Sequence, residues 1–391
     1  MKIAFVSQLD SRNIQEWSGT PYYMVQGLRN SGHVVTEVGP LKPPFLQFMK
    51  LVLKVRQALT GKYYDLSRHP LVAKSLSKQA MKLMGREHFD VVVCPSSIVC
   101  AGLDISTPIV TWEDATFAGM VGYYPGMWQN FSQETLTHGN LLQQQSLQRA
   151  TVSAFSSDWA AQSALSHYQV EKEKVAVIPL GANLSEVPTQ EEVYKAIDRR
   201  ERNDECRLLF IGVDWHRKGG DLVIKTAVAL RNMGINAVVD IVGCQPPDDV
   251  PDLVRSHGFI SKSTQEGRQK FRSLLLDAHY LFVPSIAECY GLVFAEASAF
   301  GVPSLARATG GIPSAVKNGC NGWAFGVDEP DQIYAEHISN QLESNGAYSE
   351  AARRARQFYE ERLNWGAAIR TFESLIEPLL AQQCIRQVCS K

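Results

Sequence analysis

Two glutamates eight positions apart, Glu288 and Glu296, bracket Gly291 in the stretch YLFVPSIAECYGLVFAEASAFG, residues 280–301. Their chemistry depends on what carries them. Tyr280 to Val283 is a short apolar run that predicts a strand, and Pro284 ends it because proline cannot donate to a sheet ladder. Gly291 permits a tight turn, and Leu292 to Phe300 has helical composition. Glu288 then falls in the loop beyond the strand, and Glu296 one turn into the helix on the same face as Leu292. The first amides of that helix, at Gly291, Leu292 and Val293, lack intrahelical partners and carry the positive end of its dipole. They form a seat for a phosphate. A carboxylate beside an anion seat calls for a ligand that offers hydroxyl donors as well as phosphate, which describes a nucleotide sugar. Taken singly, each residue has a plainer reading: Glu296 serves the helix dipole, and Glu288 is a solvated loop acid.

The whole string decides between these readings. PS-x-x-E-x-Y-G-L-V-x-x-E-A-x-A-x-G-x-P, read from Pro284 to Pro303, resembles the signature of retaining glycosyltransferases of family 4, the glycogen-synthase-like group with the GT-B fold. The resemblance implies an α/β chain with two Rossmann-like, doubly wound parallel-sheet domains facing across a cleft. The donor would lie mainly on the second domain and the acceptor mainly on the first. Glu296 would bind the ribose hydroxyls and Glu288 would contact the transferred sugar. No metal or other cofactor is implied, because cations and helix amides carry the phosphate charge.

The same resemblance assigns the loop after RLLFIG, residues 207–212. Relatives carry an Arg directly after the first glycine, here Gly212, and a Lys five residues beyond that Arg. Lys218 occupies the Lys position; Val213 occupies the Arg position, a departure. Either Arg217, beside Lys218, supplies the missing charge, or the site carries less positive charge than in relatives. The physical need is clear, since the leaving diphosphate gains charge as the glycosidic bond breaks and preorganised cations lower that barrier. Gly258-Phe259-Ile260-Ser261 is expected as a short strand and turn, where relatives set the nucleotide base against backbone near Ile260.

The first half carries weaker signals. IAFVS and VVTEVG, with a helix from Tyr22 to about Ser31 between them, predict a βαβ opening. Relatives show two adjacent glycines in the first loop; this chain has Ser18-Gly19, and Gly19 is expected to allow close approach to the donor phosphate or the acceptor. Pro108 to Trp112 predicts a strand that delivers Glu113 and Asp114. Many relatives place a histidine near this point. An acidic residue here would bind a donor hydroxyl or the acceptor, so both acids are site candidates. The expected boundaries are an acceptor-side domain over 1–183, a linker with a short helix over 184–204, a donor domain over 205–364, and a helix over 365–391 returning to the first domain.

Composition excludes several classes. The chain has 391 residues, with 39 Lys plus Arg against 40 Asp plus Glu. That length suits two domains, and that balance leaves no nucleic-acid footprint. The eight cysteines include no C-x-x-C pair and no zinc spacing, which fits a reducing cytoplasm. MKIAFVSQLD is too soon polar for a signal peptide and reads as a first strand. No apolar run approaches a membrane span. Phe45 to Leu59 is amphipathic, with Lys50, Lys54 and Gln57 on one face and Phe45, Phe48, Val52, Val55 and Leu59 on another. It reads as a helix packed on the first domain, as a basic docking surface for anionic lipid at the inner face of the membrane, or as part of the acceptor wall.

These readings converge on sugar transfer, with retention, from a UDP- or GDP-type donor to a hydroxyl on a glycan, glycolipid or small metabolite. Two other classes stay open: a GT-B-fold sugar-nucleotide epimerase, and a non-catalytic nucleotide-sugar-binding partner.

Overall fold

The computed structural model describes residues 1–43 and 46–389. The chain forms two compact units. One contains Met1–Pro179 and Trp365–Lys391, the other Leu180–Asn364.

The first unit is built on six parallel strands: β1 (Lys2–Val6), β2 (Val34–Val38), β3 (Val91–Cys94), β4 (Ile109–Glu113), β5 (Val152–Phe155) and β6 (Val175–Val177), in the order β2-β1-β3-β4-β5-β6. The central strands β3, β4 and β5 are buried at every position. With both faces covered, β3 reads as a continuous apolar run, VVVC, and not as an alternating one. Helix Thr20–Asn30 follows β1, and the final helix, Trp365–Cys389, packs against it. Gly27 makes this approach fit, since a Cβ there would lie 3.1 Å from the Trp365 Cβ. Trp112 of β4 stacks on Phe372 of the same final helix, ring centroids 6.3 Å apart.

The second unit repeats the scheme with β7 (Cys206–Gly212), β8 (Ala237–Gly243), β9 (Val254–Ser256), β10 (Tyr280–Phe282), β11 (Ser304–Arg307) and β12 (Gly322–Phe325). Its order is β12-β11-β10-β7-β8-β9, again all parallel. Chain direction across the sheet reverses between β7 and β10. Ligands of open parallel sheets bind outside the carboxyl ends of strands at such a reversal. In the first unit the reversal lies between β1 and β3.

Of three expectations for connecting segments, two are met and one changes. The short helix expected within 184–204 is Gln190–Glu201, closed by a capping box at Thr189 and Glu192. Val193 and Ile197 of that helix are fully buried in the second unit's core. Gly258 to Ser261 is not a strand; the short strand lies earlier, at Val254–Ser256. Gly258 takes φ +62°, a left-handed turn that ends the ladder. The expected amphipathic helix exists as Leu46–Thr60, while the side chains of Phe45, Phe48 and Lys50 lie outside the described residues.

A buried histidine clamps the start of β10. The Arg207 amide donates to His279 Nδ1 (3.1 Å), so Nε2 carries the proton it donates to the Arg200 carbonyl (2.8 Å). Burial pulls His279 down from 6.5 to about 4. The unfolded chain takes up a proton below 6.5 that the folded chain resists until about 4. The contribution is therefore complete above the upper value and is lost as pH falls through that window. The expected result is a falling thermal midpoint between pH 6.5 and 4. Differential scanning calorimetry should show a shallower fall in His279→Asn, whatever the variant's absolute stability.

Candidate functional site

The loop after β7 is a folded element. Asp214 caps the one-turn helix Trp215–Lys218, its carboxylate accepting from the Arg217 amide (3.1 Å). Trp215 is buried against Phe210, with its Nε1 donating to Asp221 (2.7 Å), and its ring lies over Gly220. Gly219 then sits at φ +80°, where a Cβ would lie 2.4 Å from the Pro284 carbonyl oxygen. Only glycine satisfies both demands. This contact sets the loop after β7 directly on the loop after β10. The Ile286 amide completes the junction by donating to the Arg217 carbonyl (2.9 Å).

The junction brings charges together. Lys218 Nζ pairs with Glu288 Oε2, and Arg217 Nη1 lies 3.6 Å from the same oxygen. All three side chains are only 12–15% exposed. Arg217 is aimed inward by a bond to the Ala287 carbonyl (3.2 Å) and a 3.4 Å pair with Asp214. Gly212 gives room to the Lys218 stem: a Cβ there would lie 2.7 Å from the Lys218 Cγ. Val213, in contrast, is 72% exposed. Two cations therefore converge on one carboxylate at the reversal point of the second sheet.

Helix Leu292–Ala299 begins beside this cluster. Gly291 takes φ +89° and no side chain caps the helix start, which leaves the turn of Leu292 and Val293 presenting backbone amides. Inside the helix Glu296 is nearly buried, at 5% side-chain exposure. Its carboxylate accepts from Lys262 Nζ at 2.6 Å. Lys262 also reaches the Asn183 carbonyl (3.4 Å) and is one-third exposed. This lysine escaped the sequence reading. It follows Ile260 by two residues, and its signal would have been a lone cation in an otherwise neutral GFIS turn. Ile260 itself is half-buried in the loop after β9.

The first unit divides its candidates. Trp17 and Ser18 adopt φ of 45° and 54°, and Gly19 follows at 83°, so three consecutive left-handed residues precede the helix at Thr20. Backbone held there by its surroundings is costly and gathers at ligand-contacting turns. Trp17 Nε1 donates to Asp114 Oδ2 (3.2 Å), which joins this turn to the end of β4. Gly19 and Asp114 are thus brought into one region. Glu113 is not part of it. It is buried, and its carboxylate accepts from the Ser97 amide (2.7 Å) and from Gln143 Nε2 (3.1 Å). Burial pushes its carboxyl above the usual range, while those two bonds pull it back. The geometry gives Glu113 a structural role, fixing the start of the one-turn helix after β3.

Known proteins share this design. A model described as "Glycosyltransferase Family 4" matches residues 20–186, and one described as "Glycosyl transferases group 1" matches residues 171–358. The chain is 26% identical over 237 residues to the D-inositol 3-phosphate glycosyltransferase of Mycobacterium avium, covering 57% of this chain and 54% of that one. It is 30% identical over 190 residues to the protein of that name in Nocardiopsis dassonvillei, covering 44% and 43%. The matches thus span about half the length of these relatives. Sucrose-phosphate synthase from Thermosynechococcus elongatus has a similar structure, with TM-score 0.67, 16% identity, and coverage of 98% of this chain and 100% of that one. Anabaena HepE, solved with UDP-glucose, superposes at TM-score 0.61 with 15% identity, over 97% and 100% of the two chains. With both halves matched in order, the Glu288–Glu296 helix in place and twelve parallel strands in two sheets of this kind, the chain belongs to the family 4, group 1 glycosyltransferases of GT-B fold.

Proposed function

We propose that this chain transfers a sugar from a nucleoside-diphosphate sugar, UDP- or GDP-linked, to a hydroxyl acceptor with retention of anomeric configuration. One observation carries the reading: Lys218 and Arg217, from the loop after β7, meet Glu288 at the start of helix Leu292–Ala299. The cluster lies where a doubly wound sheet binds ligands. A diphosphate there finds two cations and the helix's first amides, and its sugar finds a carboxylate. Glu296 accepts from the ribose hydroxyls, and the base lies along the backbone near Ile260. The charge that builds on the leaving diphosphate is met by Lys218 and Arg217 without reorganisation. The leaving phosphate itself takes the acceptor's proton on the same face, so no separate protein base is required. The UDP-glucose bound in the structure of HepE supports a UDP-sugar as the first donor to try. Asp114 and Gly19 are assigned to the acceptor or to a donor hydroxyl. The acceptor class is a glycan, a glycolipid or a small hydroxylated metabolite.

A thermal-shift screen over UDP-, GDP- and ADP-sugars tests the donor assignment, because selective binding raises the melting temperature by mass action. The selected donor, carrying labelled sugar, is then incubated with the protein. Transfer or slow hydrolysis with the product in the donor's anomeric form is the expected result. Epimerised donor, or stabilisation without turnover, would replace it with the epimerase or the non-catalytic binder. Activity is expected to persist in excess EDTA; loss restored by magnesium or manganese would overturn the assignment of the phosphate charge to Lys218 and Arg217.

A further inference from the structure

Helix Leu46–Thr60 turns aliphatic side chains the wrong way for a core helix. Leu51, Val55 and Leu59, four residues apart, are 62%, 53% and 81% exposed, and Val52 beside them is 42% exposed. This spacing aligns them in one stripe. The helix is anchored from its opposite side, where Met49 packs on the first unit's core and Leu53 is half-buried. Basic groups flank the stripe. Lys54 is exposed on one border. On the other, Arg56 is held by Glu134 (2.7 Å) over the Tyr64 ring.

A second basic feature lies on the same unit. Helix Pro70–Met84 presents Lys74, Lys78 and Lys82 at four-residue spacing, and with Lys42 and the exposed Leu71 they line one shallow hollow. The Lys42 segment is tied to this helix by a bond from Gln79 Nε2 to the Lys42 carbonyl (2.9 Å). Like charges repeated every four residues weaken a helix, so the row does not serve the helix's own stability.

We propose that the outward stripe of helix Leu46–Thr60, together with this lysine row, docks the protein on the surface of an anionic lipid bilayer. The surface fits lipid better than a protein partner. It offers aliphatic groups and lysines, whereas protein interfaces are anchored by Trp, Tyr and Arg and exclude Lys from their centres. Exposed aliphatics of this kind enter the acyl boundary while lysines meet anionic headgroups. The helix lies in the interface and does not span it, since no described helix is long and apolar enough to cross a membrane.

The test is co-sedimentation of the full chain with phosphatidylcholine vesicles, with and without phosphatidylglycerol, at low and high salt. Binding is expected to the anionic vesicles and to weaken with salt. The double variant Leu51→Asp/Leu59→Asp should bind at least about tenfold more weakly, on the order of 1.4 kcal/mol. Lys74→Ala/Lys78→Ala/Lys82→Ala should lose the preference for anionic vesicles. Circular dichroism and the donor-induced thermal shift report whether each variant stays folded. Failure of the parent chain to bind anionic vesicles would overturn the proposal, and so would equal binding by the aspartate variant. Light scattering that shows a dimer dispersed by the same aspartates would instead assign the stripe to a second copy of the chain. Neither result bears on the Lys218–Arg217–Glu288 cluster, which lies in the other unit.

Discussion

Lys218→Ala is expected to lower turnover by about 10²–10³, the scale for removing one preorganised stabiliser of transition-state charge. Lys218 and Arg217 address the same Glu288 oxygen, so they would address the same diphosphate. Arg217→Ala should therefore cost less than Lys218→Ala, and the double variant less than the product of the two. Arg217 is aimed into the cluster by the Ala287 carbonyl, while the exposed Val213 offers nothing to it. Restoring the family's usual residue with Val213→Arg should partly rescue Arg217→Ala. The measurement is initial velocity at saturating acceptor across these variants. A silent Arg217→Ala beside an inactive Lys218→Ala would end the idea that Arg217 compensates for Val213. Silence of both would move the diphosphate elsewhere.

Glu296→Ala should weaken donor binding by about 1.5–3 kcal/mol, the scale for hydrogen bonds to a charged acceptor. The loss should appear in the donor's Kd by calorimetry while the unchanged melting profile of the free protein reports an intact fold. Lys262 sharpens the test. In the donor-free chain its ammonium holds the nearly buried carboxylate, so the ribose must share or take over that carboxylate. Removing Glu296 leaves a one-third exposed lysine that water can solvate, which is tolerable. Lys262→Met leaves a nearly buried carboxylate without its cation, which costs stability. Loss of stability in Lys262→Met but not in Glu296→Ala is the expected asymmetry. Unchanged donor affinity in Glu296→Ala would remove the ribose from this helix.

Much of this design is visible in the residues, for physical reasons. A long apolar parallel strand such as Cys206–Gly212 announces itself as an apolar run, and the Pro284–Gly291 loop with its helix is set by local backbone rules. What stayed hidden was short or remote. The strands Val152–Phe155 and Ser304–Arg307 hold four residues each, too few for a period to show. Helix Asp331–Glu343 begins after Pro330 without a side-chain cap, so nothing marks its start. Glu113 and Asp114 are adjacent in sequence yet diverge in role, because Glu113 is the last residue of the buried strand Ile109–Glu113 and Asp114 lies in the bend beyond it. The pairing of Lys262 with Glu296 joins residues 34 positions apart, and only the assembled sheet makes them neighbours.

The first unit is discontinuous, closed by Trp365–Lys391 after the whole of the second has passed. During synthesis, the segment 180–364 is complete while the helix that will cover Trp112 and abut Gly27 has yet to leave the ribosome. The second unit can therefore fold first, although it is encoded later than most of the first. The first unit's early strands must wait with an apolar flank uncovered. A chain stopped at Asn364 would keep every residue assigned here to the donor and still lack a finished fold.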